Sequence, residues 1–231
     1  YFVQVEAAYK AGNATEHTYR PALKSLLEAV TPGITATNEP RRIQCGAPDY
    51  IITRDSIPVG FVEAKDIGKP LDEVADGEQL SRYRESLHNL ILTDYLEFRW
   101  YAQGSLRLSA RLAKVQANGK LRMETEGSRQ LEELLQGFFA SEIPTVSSPK
   151  DLAERMAALA RLIRSIIGQT FAEEGERGAL HEQMEGFRKV LMNDLTAEEF
   201  ADMYAQTICY GLFAARCNSI PGARFTREHA A

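Results

Sequence analysis

The chain has 231 residues, 44% hydrophobic and 26% charged, with a formal net charge of −5. These proportions exclude wholesale disorder and a peptide-sized scaffold, and the length suits one domain plus a smaller appendage. No run of about 18 apolar residues occurs, and YFVQVEAAYKAG has no basic flank ahead of an apolar stretch, so no membrane span or signal peptide is expected and the expected location is cytoplasmic. Cys45, Cys209 and Cys217 are odd in number and widely spaced, which speaks against a disulfide framework or a zinc site and for buried small apolar groups. Residues 1–125 hold 16 basic and 16 acidic side chains, leaving 11 and 16 for the remainder. A local basic groove is therefore compatible with the acidic total, which neither supports nor excludes a polyanionic partner.

In chain order, Tyr19, Leu23, Leu26, Leu27 and Val30 recur at helical spacing and predict a first helix from about Ala14 to Val30, ended by Thr31-Pro32-Gly33. The period then shortens to two. ITATNEP, PDYIITR and VGFVEAK read as three strands, Pro70 opens a second helix to about Ser86, and NLILTDY, LEFRWYA and SLRLSARLAKV read as three more strands, the last turning at Asn118-Gly119. From Gly127 onward the pattern is helical, with Leu131, Leu134, Leu135, Phe138 and Phe139 on one stripe. Ser148-Pro149 is a cap and first-turn pair for a helix to about Ala172, EEGERG reads as a loop, and Thr196 with Glu199 forms a capping box for a last helix through Ala215. The C-terminal stripe of Phe200, Met203, Tyr204, Ile208, Leu212 and Phe213 is expected to bury against other helices. The fold class is thus α/β (α+β), a central mixed sheet followed by an all-α connector, with domains at 1–140 and 141–231.

The densest chemical signal lies in PDYIITRDSIPVGFVEAK. Strand alternation puts Phe61, Glu63 and Lys65 on one face, and the hairpin from Arg54 to Pro58 brings Asp49 alongside Glu63. Two carboxylates in one cleft repel, and a divalent cation relieves that repulsion; Mg²⁺ typically takes one or two carboxylates together with waters and phosphate oxygens. An ammonium at Lys65 is then placed to orient an attacking water and to offset charge on a phosphate undergoing substitution.

Asp49, Glu63 and Lys65, spaced PD-x13-ExK, resemble the PD-(D/E)xK nuclease superfamily, and the α, βββ, α, β order resembles its core, a restriction-endonuclease-like fold. Glu16 lies on the inward stripe of the first helix, where many members carry an extra acidic residue. Gln79-Leu80-Ser81-Arg82-Tyr83 is similar to the QxxxY element that follows ExK in nuclease domains of type I restriction enzymes and their single-chain relatives. TEHTYRPALKSLLEAV, NEPRR, GAPDY and VEAK, with FADMYAQTICYGLFAAR and FTREHAA, resemble the N-terminal region of fused restriction-modification polypeptides, in which a nuclease domain is joined through helices to an adenine-N6 methyltransferase.

The resemblance implies an Mg²⁺-dependent endodeoxyribonuclease, with Mn²⁺ as a substitute metal. It implies Asp49, Glu63, Lys65, Glu16, Gln79 and Tyr83 as site residues and Asp49 and Glu63 as metal ligands. The implied partners are double-stranded DNA and the methyltransferase and specificity domains of the same polypeptide; no membrane is implied. S-adenosylmethionine belongs to a domain outside this chain, which shows neither a Gly-rich cofactor loop nor an NPPY-type tetrapeptide. The chain begins without Met and is expected to be a piece of something longer. The rival functions are a non-catalytic DNA-binding or coupling module that retains the nuclease fold, and a structure-specific repair nuclease.

Simpler readings stand beside these. Glu63 and Lys65 also fit a solvated pair on an edge strand, Glu16 a carboxylate favoured by the helix dipole, and Gln79 and Tyr83 a surface amide with a core aromatic packed near Leu80 and Leu87. Arg41 and Arg42 suit either phosphate contact or a solvated loop and stay outside the site. His17, His88, His181 and His229 lack metal-ligand spacing.

Overall fold

The computed structural model describes residues 1–38, 48–55, 57–141, 146, 148–174 and 178–219. Arg41, Arg42, Cys45, His229 and the FTREHAA segment lie outside the described residues. The chain divides into two compact units, the second formed chiefly by residues after 145.

The first unit opens with α1 (Phe2–Lys10) and α2 (Glu16–Val30), followed by β1 (Ile34–Asn38), β2 (Tyr50–Arg54) and β3 (Ile57–Ala64). Two short helices, α3 (Leu71–Ala75) and α4 (Glu78–Ser86), lead to β4 (Asn89–Thr93), β5 (Glu97–Ala102) and β6 (Ser105–Arg111). A small hairpin of β7 (Ala113–Val115) and β8 (Leu121–Met123) precedes α5 (Gly127–Ala140). The six main strands lie in sequence order across one sheet. All neighbours are antiparallel except β3 and β4, which are parallel because the α3–α4 crossover carries the chain back along the sheet before β4 begins beside β3. This is a mixed α+β sheet followed by helices, the class expected from the change of period along the chain.

The core follows from the pattern of side chains. Tyr19, Leu23 and Leu27 of α2 meet Tyr50 and Ile52 of β2 and Val62 and Ala64 of β3, while α5 contributes Leu131, Leu134, Leu135, Phe138 and Phe139. All five residues of β4 are buried, as a central strand covered on both faces requires.

Two expectations are corrected here. The helix predicted from Pro70 to Ser86 is broken at Asp76-Gly77 into α3 and α4. SLRLSARLAKV is not one strand: it divides at Leu112, whose N–H and whose neighbour's N–H both donate to the Leu96 carbonyl, so Ala113 starts a second sheet. The turn at Asn118-Gly119 is present, with Gly119 at φ +74. Helix α1 was not anticipated, because its nine residues carry only a weak apolar periodicity and only Val5 is buried.

Polar chemistry fastens α5 to the sheet. Asn89, fully buried, donates from Nδ2 to the Val59 carbonyl at 2.7 Å and to the Phe138 carbonyl at 2.9 Å, and accepts Trp100 Nε1–H at 2.7 Å. Gly60 lies beneath this contact. A Cβ there would stand 2.3 Å from Cζ of the fully buried Phe138. Gly60→Ala is therefore expected to destabilise the first unit by roughly 1–3 kcal/mol through overpacking, read as a lower denaturant midpoint at unchanged slope.

The second unit is helical among its described residues: α6 (Pro149–Glu174), α7 (Ala179–Val190) and α8 (Ala197–Cys217). Ser148 Oγ accepts the Asp151 N–H at 3.1 Å and Thr196 Oγ1 accepts the Glu199 N–H at 3.2 Å, as the two start signals led one to expect. Phe171 of α6, Met184 of α7 and Phe200, Ala201 and Ala205 of α8 form its core. Helix α7 was not anticipated. The expected burial of the α8 stripe holds for Phe200 but not for Leu212 and Phe213, which are 45% and 41% exposed. Periodicity identifies the apolar face of a helix, whereas the reach of its neighbours decides how much of that face is covered.

Candidate active site

The sheet order places the end of β3 next to the start of β2. Tyr50 pairs with Val62 in the antiparallel register, so Asp49 and Glu63 come to the same end of the two strands. Asp49 is 8% exposed and Glu63 3%. Lys65 follows the last residue of β3, its N–H donating to the Thr93 carbonyl at 2.8 Å, and its Nζ donates to Glu63 Oε1 at 2.5 Å.

The start of α2 is tied to this end of the sheet. Asp66 Oδ1 accepts the Glu16 N–H at 2.8 Å, Tyr95 Oη donates to the Glu16 carbonyl at 2.9 Å, and Tyr50 Oη donates to the Arg20 carbonyl at 2.9 Å. Glu16 thereby reaches the cluster, but through another side chain: Arg20 Nη2 donates to Glu16 Oε1 at 2.8 Å and to Asp49 Oδ1 at 2.5 Å. The second Asp49 oxygen accepts the Ala64 N–H at 2.8 Å. Arg20, only 8% exposed, was missed in the sequence, although Glu16 and Arg20 stand at the i, i+4 spacing of a helical ion pair. Asp66 was missed as well; it carries no motif, only its position beside Lys65.

Gln79 and Tyr83 lie one turn apart on α4, with Gln79 Nε2 donating to Tyr83 Oη at 3.0 Å. Tyr83 is fully buried. Burial raises its hydroxyl pKa, and the charge of Glu63, felt across the site, adds to the rise. The structure thus brings together all six residues singled out in the sequence and adds Arg20 to them.

The electrostatics are those of crowded carboxylates. Burial pushes Glu63 up to about 7 against the pull of Lys65, with Asp49 and Glu16 adding to the rise. Asp49 is raised by burial and by Glu16, against the opposing Ala64 N–H, Arg20 and Lys65. Burial acts to lower Lys65, but Glu63, Asp49 and Glu16 outweigh it and hold the ammonium above its ordinary value. Glu63 Oε2 is buried and has no hydrogen-bond partner among the described residues. An uncommitted carboxylate oxygen at this depth is costly unless a cation meets it.

A titration test follows from Glu63, which faces Lys65, Asp49, Glu16 and Tyr83. Its folded pKa lies above the ordinary 4.5, so below that pH the group is protonated in both states and costs nothing. As pH rises from about 4.5 to about 7, the unfolded chain releases the proton before the folded one does, and the fold loses stability. The metal-free protein should therefore show a falling melting temperature of the first unit across that window, and Glu63→Gln should flatten the fall. An unchanged slope in the variant would place the perturbed proton elsewhere.

The donor set is one that could hold a divalent ion such as Mg²⁺ between two carboxylates: Glu63 Oε2 has no hydrogen-bond partner among the described residues, while the two Asp49 oxygens are engaged by Arg20 and the Ala64 N–H. Among the described residues no group of three or more His, Cys, Asp or Glu side chains is placed to hold a metal ion. No helix among them is long and apolar enough to cross a membrane.

Comparison with known proteins finds no matching family model and no matching curated protein. Among solved structures, a chain in a cryo-EM structure of a DrdV–DNA complex is similar at 19% identity and a TM-score of 0.47, over 93% of this chain and 21% of that one. The chain spans about a fifth of the length of that protein's chain.

Proposed function

We propose that the first unit is a metal-dependent endodeoxyribonuclease domain that hydrolyses phosphodiester bonds of double-stranded DNA. The observation that carries this reading is the buried Glu63 Oε2, without a hydrogen-bond partner among the described residues, near Asp49 and the Lys65 ammonium at the paired ends of two strands. Asp49 and Glu63 would hold Mg²⁺ or Mn²⁺, which when bound supplies charge stabilisation at the scissile phosphate and a more acidic water. The chain's own residues do the remaining work. Lys65, kept protonated by its neighbours, is a fixed donor and positive charge toward a phosphoryl oxygen or the incoming water. Tyr83, held by Gln79, keeps a hydroxyl dipole at the edge of the carboxylate pair.

The second unit is read as a helical connector in a restriction-modification polypeptide, whose methyltransferase and specificity domains, with any S-adenosylmethionine site, lie outside this chain. Cytoplasmic DNA is the matching substrate pool. The test is conversion of supercoiled plasmid to nicked and linear forms with Mg²⁺, Mn²⁺ or Ca²⁺. Cleavage is expected with the first two, whereas Ca²⁺ should occupy the site without supporting it, because it tolerates looser geometry and activates water poorly. No cleavage under any metal by protein shown to bind that metal at Asp49 and Glu63 would reduce the unit to a DNA-docking module.

A further inference from the structure

Resting on the functional reading above, we propose that Arg20 is a built-in counter-ion which occupies the Asp49 carboxylate in the metal-free protein and must yield it to the divalent cation, so that the Glu16–Arg20 pair sets how tightly the site takes metal. Both Asp49 oxygens are engaged, Oδ1 by Arg20 Nη2 at 2.5 Å and Oδ2 by the Ala64 N–H at 2.8 Å. A metal ion shared by Asp49 and Glu63 competes with the guanidinium for Oδ1, since two cations on one oxygen repel. The arginine has other anchors: Glu16 Oε1 at 2.8 Å on its own helix and Asn38 Oδ1 at 3.3 Å from β1. It is thus able to leave Asp49 while its charge stays paired. Glu16 is then a positioning residue that acts through Arg20.

Charge supports the same conclusion. Three carboxylates, Glu16, Asp49 and Glu63, meet two cations, Arg20 and Lys65, in a mostly buried cluster where screening is weak. An arginine does not deprotonate here, so its own share of the balance changes only when its charge moves or is replaced.

The experiment measures Mn²⁺ affinity by the loss of the free-ion paramagnetic resonance signal, with thermal melts of the metal-free proteins alongside. Glu63→Gln serves as the control that assigns the signal to this site. Arg20→Gln, whose amide is still able to bridge Glu16 and Asp49, should bind Mn²⁺ roughly 10-fold tighter than the wild type and melt lower without metal. Should Arg20→Gln not fold, Arg20→Lys carries the test: a point charge spans the two carboxylates less well than a planar fork, and binding should tighten by roughly two- to three-fold. Unchanged or weaker binding in a folded Arg20 variant would overturn the proposal and leave Arg20 as a strut between α2 and β2. If neither the wild type nor any variant binds Mn²⁺ at millimolar concentration, the nuclease reading itself falls and the counter-ion role with it, a pattern distinct from binding that ignores Arg20.

Discussion

Lys65→Ala is expected to lower Mg²⁺-dependent cleavage of duplex DNA by roughly 10²-fold or more, and Glu63→Gln and Asp49→Asn to bring it to background. The magnitude for Lys65 is that of losing a single preorganised positive donor at a site of developing charge. The two acids lose more because each amide removes a negative ligand while keeping size and shape. Asp49→Asn retains an oxygen for the Ala64 N–H, and Glu63→Gln replaces a carboxylate whose ionised form is disfavoured by burial, so both should remain folded. The measurement is plasmid nicking over a metal titration, with a thermal melt of each variant. Wild-type cleavage in any folded member of the three would remove that residue from the site. Tyr83→Phe and Gln79→Ala should act more mildly, since their hydrogen bond to each other is lost while the carboxylate pair and the ammonium remain.

The largest stability effect is expected away from this site, at Asn89. Its amide closes three hydrogen bonds inside the first unit, and Asn89→Leu would leave the Val59 and Phe138 carbonyls and the Trp100 indole N–H without that partner in a fully buried position. Only the Phe138 contact is fully buried and the other two are half-buried, so with about 1–3 kcal/mol for a stranded buried group and less for each of the others, a loss of about 3 kcal/mol is expected for the first unit. That corresponds to a fall of roughly 6–12 °C in its melting temperature. Trp100→Phe frees one acceptor and should cost less than Asn89→Leu. A melt of Asn89→Leu within about 2 °C of the wild type would mean that water replaces the amide or that α5 shifts to close the gap.

The two sets of variants also separate site from scaffold. Cleavage lost without a lowered melt belongs to Asp49, Glu63 and Lys65. A lowered melt with cleavage intact at low temperature belongs to Asn89 and Gly60, whose task is to hold α5 against β3 and β4.

Local chemistry determined much of this protein in advance of any fold. The apolar periods of α2, α5 and the β2–β3 hairpin, the capping box at Thr196 and the turn at Gly119 depend on side chains a few residues apart, and so were legible from spacing alone. The same holds for the approach of Asp49 to Glu63 at one end of the hairpin, though not for the register shift at Ile52–Thr53 that sets the final pairing of Tyr50 with Val62, and for the Gln79–Tyr83 contact, one helical turn in length. Helix α7, though not anticipated, carries an apolar stripe of Leu180, Met184 and Phe187 at helical spacing, whereas α1 was not legible because its periodicity is weak and its burial rests on one valine. Nor was the exposure of Leu212 and Phe213, which depends on how far neighbouring helices reach. The tertiary structure alone decided that Arg20 lies across Asp49, that Asp66 caps α2 and that Asn89 binds β3 to α5, contacts spanning 29, 50 and up to 49 residues. Buried polar groups must find partners, and the nearest partner in space is set by the packing of the whole core, which no short-range spacing encodes.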